Sequence, residues 1–198
     1  MVWLFENSGK TFSGAPVIRN AHLYFTSGVT YTLLGNHVSL KSKIQDPCVF
    51  DASASRLTPI ISTVSTNTLL ALFNSNVFSF FIKRFLKNTA AYEITDVRMT
   101  PIVIPTLEQE ATLRELGERA IAAKQLSFSK AAVPPELSAF CLSLGNRLRT
   151  DAPAYLRPAP QHLLLADAQT CLEILERAVN WEAEKLYGVA GQGPFNEF

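Results

Sequence analysis

Few residues of this chain are spaced for chemistry. The histidines, His22, His37 and His162, stand far apart, without the close spacing that lets two ligands share one zinc ion. Cys48, Cys141 and Cys171 are equally scattered and form no CxxC pair. An odd, dispersed set fits a reducing compartment, and each reads as a small core residue. Asp46 with Asp51, and Glu93 with Asp96, bracket short apolar stretches. Carboxylates so placed form turns more often than acid–base pairs. There is no GxxxxGK[ST] phosphate loop, no HExxH and no GxSxG, and "GQG" at 191–193 does not join a strand to a helix. The expectation is a chain that is not an enzyme by itself.

Cations are the remaining candidates. The stretch "LFNSNVFSFFIKRFLKNTAAYEI" (72–94) runs from apolar residues straight into Lys83, Arg84, Lys87 and Asn88. A membrane segment would explain the apolar part. However, residues 69–82 are interrupted by Asn74, Ser75, Asn76 and Ser79, and fall short of the roughly 20 apolar residues that span a bilayer. The N-terminus has no basic stretch followed by an apolar run, so no secretory signal is expected. No membrane association is expected, and the cytoplasm is the expected location. Two readings of the stretch remain: a core helix with a solvated end, or a core helix that delivers cations to an anionic partner.

Charge favours the second. The 198 residues carry a formal net charge of +1, but unevenly. Residues 1–105 hold nine Lys/Arg against five Asp/Glu, and residues 106–198 hold nine against twelve. Such a split points a polyanion at the first part only. It also argues against a DNA mimic, which needs a continuous acidic face. At 47% hydrophobic and 18% charged, the chain can bury a sizeable core.

These cations need a scaffold. "VIRNAHLYF" (17–25), "VTYTLL" (29–34), "HVSLKSKI" (37–44), "PCVFD" (47–51) and "TPIIST" (58–63) read as short strands separated by turns. Val38, Leu40 and Ile44 do not share one strict face, which allows a bulge. A helix capped by Ser65, Thr66 or Asn67 is expected over about 67–87, apolar on several faces and therefore buried. "VRMTPIVIP" (97–105) reads as one more strand. Thr106 and Gln109 form a capping-box signal for a helix to about 126. Pro134 and Pro135 start another helix, and 150–160 is a proline-rich linker. A last helix, about 161–187, carries Leu164, Leu172, Leu175 and Val179 on its apolar stripe and stops at Gly188. The tail is expected to be loose. The helices at 107–126 and 161–187 can pack antiparallel against each other. The fold class expected is α+β: an irregular, mostly antiparallel sheet packed on a buried helix, followed by a helical spacer region.

Several stretches together resemble one family. "FENSGKTFSGAPVIRNAHLYFTSGVTYT" is similar to a segment in the target-recognition part of large adenine-specific DNA methyltransferases. These are the type IIG restriction–modification enzymes and the PglX methyltransferase of BREX phage-defence systems. The family's turn, Arg-Asn pair, aromatic pair and Gly-(Ile/Val)-Thr-(Tyr/Trp) fall on Asn7-Ser8-Gly9, Arg19-Asn20, Tyr24-Phe25 and Gly28-Val29-Thr30-Tyr31. "CVFDASASRLTPI", "LLALFNSNVFSFFIKRF", "YEITDVRMTPIVIPTLEQE" and "AEKLYGV" resemble later family segments in the same order. Specificity subunits of type I restriction systems share the third of these in looser form. The (Asn/Asp)-Pro-Pro-(Tyr/Phe) motif and the Gly-rich S-adenosylmethionine loop of the family do not occur here.

The resemblance implies a non-catalytic DNA target-recognition module that supplies sequence specificity to an adenine N6-methyltransferase. Residues 1–105 would be the recognition domain, N-terminally incomplete relative to the family, and 106–198 the helical spacer. A domain of a larger enzyme, a separate specificity polypeptide and a gene remnant all remain open. No cofactor is expected on this chain; S-adenosylmethionine would sit on a catalytic domain or subunit elsewhere. The expected partners are double-stranded DNA and that methyltransferase part. A homodimer through helices 107–126 and 161–187 is also open. Lys83, Arg84 and Lys87 would meet phosphates, and Lys41, Lys43, Arg56, Asn88, Tyr92 and Arg98 would meet phosphates or groove edges. The alternative is a protein-interaction module or a remnant without DNA binding.

Overall fold

The computed structural model describes residues 6, 8–10, 18, 20–34, 39–50, 55–86, 91–163 and 167–195. Asn7, Arg19, the turn at 35–36, His37, Val38, Asp51, Lys87, Asn88 and Leu164 lie outside the described residues. The described residues form an α+β fold. Three strands, β1 (Gly28–Tyr31), β2 (Ser42–Gln45) and β3 (Arg56–Leu57), make an antiparallel sheet in the order β2-β1-β3. Six α-helices follow: α1 (Thr66–Phe73), α2 (Asn76–Phe81), α3 (Ile94–Met99), α4 (Leu107–Ser129), α5 (Pro135–Asp151) and α6 (Ala168–Leu186).

The long apolar helix expected over 67–87 is broken. Ser65 caps α1 by accepting from the Thr68 N–H at 3.1 Å. The helix stops at Asn74, and the chain bends by 59° into α2. Asn74 is used elsewhere: its Oδ1 accepts from the Ser42 N–H at 3.0 Å, and its Nδ2 donates to the Ser42 carbonyl at 3.1 Å. Ser75 then caps α2 through the Phe78 N–H. Asn76 donates its N–H to Asn180 Oδ1 on α6 at 2.7 Å, and Ser79 Oγ accepts from the Leu40 N–H at 3.0 Å. The polar interruptions of the apolar stretch are therefore the joints that tie it to the sheet and to α6. Residues Ile82–Leu86 continue as a π-turn. Among the described residues no single helix is long and apolar enough to cross a membrane. The bent pair of α1 with 76–86 passes by length and composition only, and most of its apolar side chains lie inside the protein.

Other expected strands took different forms. Ala21–Leu23 is a 3-10 turn entered through Asn20 at φ 55°. Residues 58–63 are not extended against a neighbour; Pro59 lacks the N–H a ladder needs, and the Val64 N–H closes a turn on Ile61. The stretch read as a strand over 97–105 begins inside α3. Glu93 and Asp96 cap that helix reciprocally, a local signal that outweighs the β preference of Val97. Residues 100–106 then run without strand partners between Pro101 and Pro105. The 150–160 segment is held in place, with Leu156 in the core and Tyr155 bonded to Glu184 Oε2 at 2.6 Å. The last helix begins at Ala168 rather than near 161, because Asp167 caps it through the Thr170 N–H at 2.7 Å. Phe195 packs on Phe80 with ring centroids 5.3 Å apart, so the described part of the tail folds back.

Two apolar cores share α1. Leu69, Leu70 and Phe73 join Val29, Tyr31, Leu40 and Phe78 in one. Ala71 and Leu72 join Leu113, Leu116, Leu144, Leu148 and Leu175 in the other. The capping box at Thr106 and Gln109 forms as expected. Helices α4 and α6 pack on each other within the chain. The Tyr187 hydroxyl, just past α6, donates to the Pro101 carbonyl at 2.8 Å, just before α4, so the two run antiparallel. Their apolar stripes are thereby buried inside a single chain. Gly188 closes α6 in a left-handed conformation, with the Val189 N–H on the Glu184 carbonyl and the Gly188 N–H on that of Lys185.

Candidate nucleic-acid interface

Strand β1 is the middle strand; its side chains alternate between the two sheet faces, and all four of its residues are buried. Val29 is paired with Ile44 and Leu57, and all three belong to the sheet core. Thr30 then lies on the sheet face opposite that core, where it is also buried, and its register partners are Lys43 on β2 and Arg56 on β3. Opposed side chains on one face stand about 5 Å apart, so Thr30 is flanked by two cations. Lys41 precedes Lys43 by two positions and shares its face; its carbonyl accepts from the Thr32 N–H at 3.1 Å. Lys41 and Lys43 are exposed. A hollow of about 820 Å³ follows β1 and β2, lined by Thr30, Thr32, Lys41, Lys43, Gln45 and Cys48 among others.

Arg56 is held differently. It is 8% exposed. Its Nη2 donates to the Leu23 carbonyl, and its Cζ lies 4.3 Å from the centroid of the Phe50 ring. Phe50 is in turn packed edge-on against Tyr24 at 5.2 Å. Gly28 makes the position available: a Cβ there would lie 2.7 Å from Arg56 Cγ and Cδ. The turn, the aromatic pair and the glycine together fix one guanidinium on the sheet face opposite the core.

The remaining described candidates are elsewhere. Lys83 and Tyr92 are buried, with Lys83 Nζ 4.2 Å from the Tyr92 ring centroid. Burial lowers the pKa of the Lys83 amine and pushes the Tyr92 phenol up to about 12. The Tyr92 N–H bonds the Leu33 carbonyl at 2.8 Å, which prolongs the pairing of β1. This pair is part of the core, where the sequence placed both residues at a DNA cleft. Arg84, in the π-turn, and Arg98, in the last turn of α3, are exposed on helical elements. Lys87 and Asn88 lie outside the described residues. The structure thus brings together Lys41, Lys43 and Arg56.

No protein family, curated protein or solved structure that was compared with the chain matches it.

Thr30, Gly28 and Phe50 lie in segments that carry the family resemblance, but the sequence did not name them as contact residues. The place of Thr30 beside the cations follows from strand alternation, once Val29 is known to face the core. Phe50 carries no signal, since its contact with Arg56 crosses between separate segments. The face offers two ammonium groups, a fixed guanidinium and the hydroxyls of Thr30 and Thr32. Among the described residues, Asp46 is the one carboxylate lining the hollow. A surface so rich in donors suits an anion rather than proton transfer. Cys48 lines the hollow, whereas Cys141 and Cys171 lie in the helical core. Burial pushes the Cys141 thiol up to about 12 and raises that of Cys171, which keeps both in the unreactive thiol form.

Proposed function

We propose that this chain is a non-catalytic DNA target-recognition module of a restriction–modification or phage-defence adenine N6-methyltransferase. The observation that supports the reading best is the shared outer face of Lys41, Lys43 and Arg56 on a rigid sheet. Cations in that arrangement neutralise phosphates and fix the register of a duplex without reading its bases. The family resemblance supplies the context. A partner carrying S-adenosylmethionine would perform the methyl transfer on a base turned out of the duplex. The near-neutral net charge predicts modest affinity for this chain alone, because few phosphates are neutralised.

The test is binding to a pool of random duplex DNA, begun at low salt and repeated as salt rises. The wild type is expected to bind saturably. A Lys41→Ala/Lys43→Ala variant should bind more weakly and lose about two units of the slope of log K against log[salt]. Equal binding by wild type and variant would remove the sheet face from the reading.

A second reading, a protein-interaction module, is supported by the exposed apolar run Met99, Ile102, Val103, Ile104 and Leu107. Contiguous apolar surface of this kind marks contact sites. Concentration-dependent self-association, abolished by Ile104→Glu, would favour it over DNA binding.

A further inference from the structure

Arg56 poses an electrostatic problem that Lys41 and Lys43 do not. Its guanidinium is withdrawn from water, yet its Nε and Nη1 N–H groups have no acceptor. None of the ion pairs among the described residues includes it. The Leu23 carbonyl and the Phe50 ring are its partners, and neither carries a formal charge. Next to it in register, the Thr30 hydroxyl is buried and also without a partner. Beyond Thr30 stands Lys43, whose ammonium is exposed. A buried cation with no ion-pair partner among the described residues is costly, and unsatisfied donors gathered on one face call for an acceptor with several oxygens.

We propose that Arg56, Thr30 and Lys43 form the seat of one backbone phosphate of bound nucleic acid. This deepens the DNA-binding reading above, on which it rests, by naming its anchoring contact. Phe50 and the Leu23 carbonyl hold the guanidinium plane before the ligand arrives, so little side-chain freedom is lost on binding. Thr30 donates its hydroxyl to a second phosphate oxygen. Lys43, at the rim, adds charge and draws the anion in. Such a contact sets the position of the duplex and is indifferent to its sequence.

Two measurements test the seat. In the first, duplex binding is followed across salt concentrations for wild type, Arg56→Gln and Thr30→Val. Arg56→Gln should flatten the slope of log K against log[salt] by about one unit, and Thr30→Val should weaken binding several-fold at every salt. Thr30→Val keeps a β-branched side chain of similar shape, so it reports even if Arg56→Gln fails to fold. In the second, thermal melting is compared in phosphate and in chloride at matched ionic strength. Phosphate should raise the Tm of the wild type and not that of Thr30→Val. Duplex binding that neither substitution changes would overturn the seat and leave the DNA reading standing. A phosphate-dependent Tm shift in a protein that binds no duplex would keep the seat and overturn the DNA reading. No duplex binding together with no phosphate effect would overturn both.

Discussion

Gly117 on α4 lies directly against the backbone carbonyl of Asn67 on α1: a Cβ at that position would stand 2.6 Å from the carbonyl oxygen. Here the helix shared by the two cores meets the helix that begins the second part of the chain. Asn67 and Glu118 add a side-chain hydrogen bond of 3.2 Å beside it. Gly117→Ala should therefore destabilise the protein. The helix gains propensity, up to ~1 kcal/mol. The neighbour is backbone and cannot swing aside, so overpacking of ~1–3 kcal/mol prevails. Urea unfolding should show a net loss of about 1–2 kcal/mol, and Gly117→Ser should be no better.

Glu110 ties the same two helices. Its Oε1 accepts from the Ser65 N–H at 3.2 Å and from the Thr68 hydroxyl at 3.1 Å. Burial alone would raise its pKa, but the bonds from Ser65 and Thr68, with Arg114 nearby, outweigh burial and hold it below the usual value. A carboxyl depressed on folding stabilises the protein above its unfolded pKa, and that contribution fades as pH falls toward the folded value. Glu110→Ala should cost about 1–2 kcal/mol at pH 7. The gap between wild type and variant should narrow as unfolding is measured at successively lower pH below 4.5.

Glu184 has the opposite sign. It is 1% exposed, and burial raises its pKa although the Tyr155 hydroxyl and the Gly191 backbone partly counter the effect. A carboxyl raised on folding contributes fully below its unfolded pKa, and the contribution is lost as pH rises through the folded value. Tyr155→Phe removes a donor from a buried carboxylate. The expected loss is ~1–3 kcal/mol at pH 7, with a smaller loss near pH 4, where the carboxyl can take up its own proton. A pH series of thermal melts on the two proteins reads the difference.

Lys83→Met should leave duplex binding unchanged. Its amine lies over the Tyr92 ring in the core, and replacing a buried charge with an apolar side chain of similar length is often neutral. Loss of the ring contact should itself cost about 1 kcal/mol of stability. A drop in affinity comparable to that of Lys41→Ala/Lys43→Ala would mean that Lys83 reaches the nucleic acid after all.

Local signals were read well from the sequence, and long-range ones were not. The capping box at Thr106 and the stop at Gly188 depend on neighbours a few residues away, and both formed as written. The break at Asn74 was hidden because its cause lies on β2, 32 residues earlier in the chain. Helix α3 was hidden because "VRMTPIVIP" satisfies strand composition while Glu93 and Asp96, just before it, cap a helix. The candidate interface divided in the same way. Lys41 and Lys43 stand two residues apart, and their shared face follows from spacing. That Arg56 joins them, and that Lys83 turns inward, depends on sheet order and on a π-turn, neither of which leaves a local trace.

The Asn74 side chain has one further consequence. Strand β2 is an edge of the sheet among the described strands, and an edge carries unpaired amides and carbonyls that can recruit a strand from another molecule. Asn74 occupies both outward groups of Ser42 at once. It ends the ladder as a neighbouring strand would, but offers nothing onward for a further strand to bind. Together with the exposed Lys43 on β2 and Lys41 just before it, this disfavours edge-to-edge pairing along that strand.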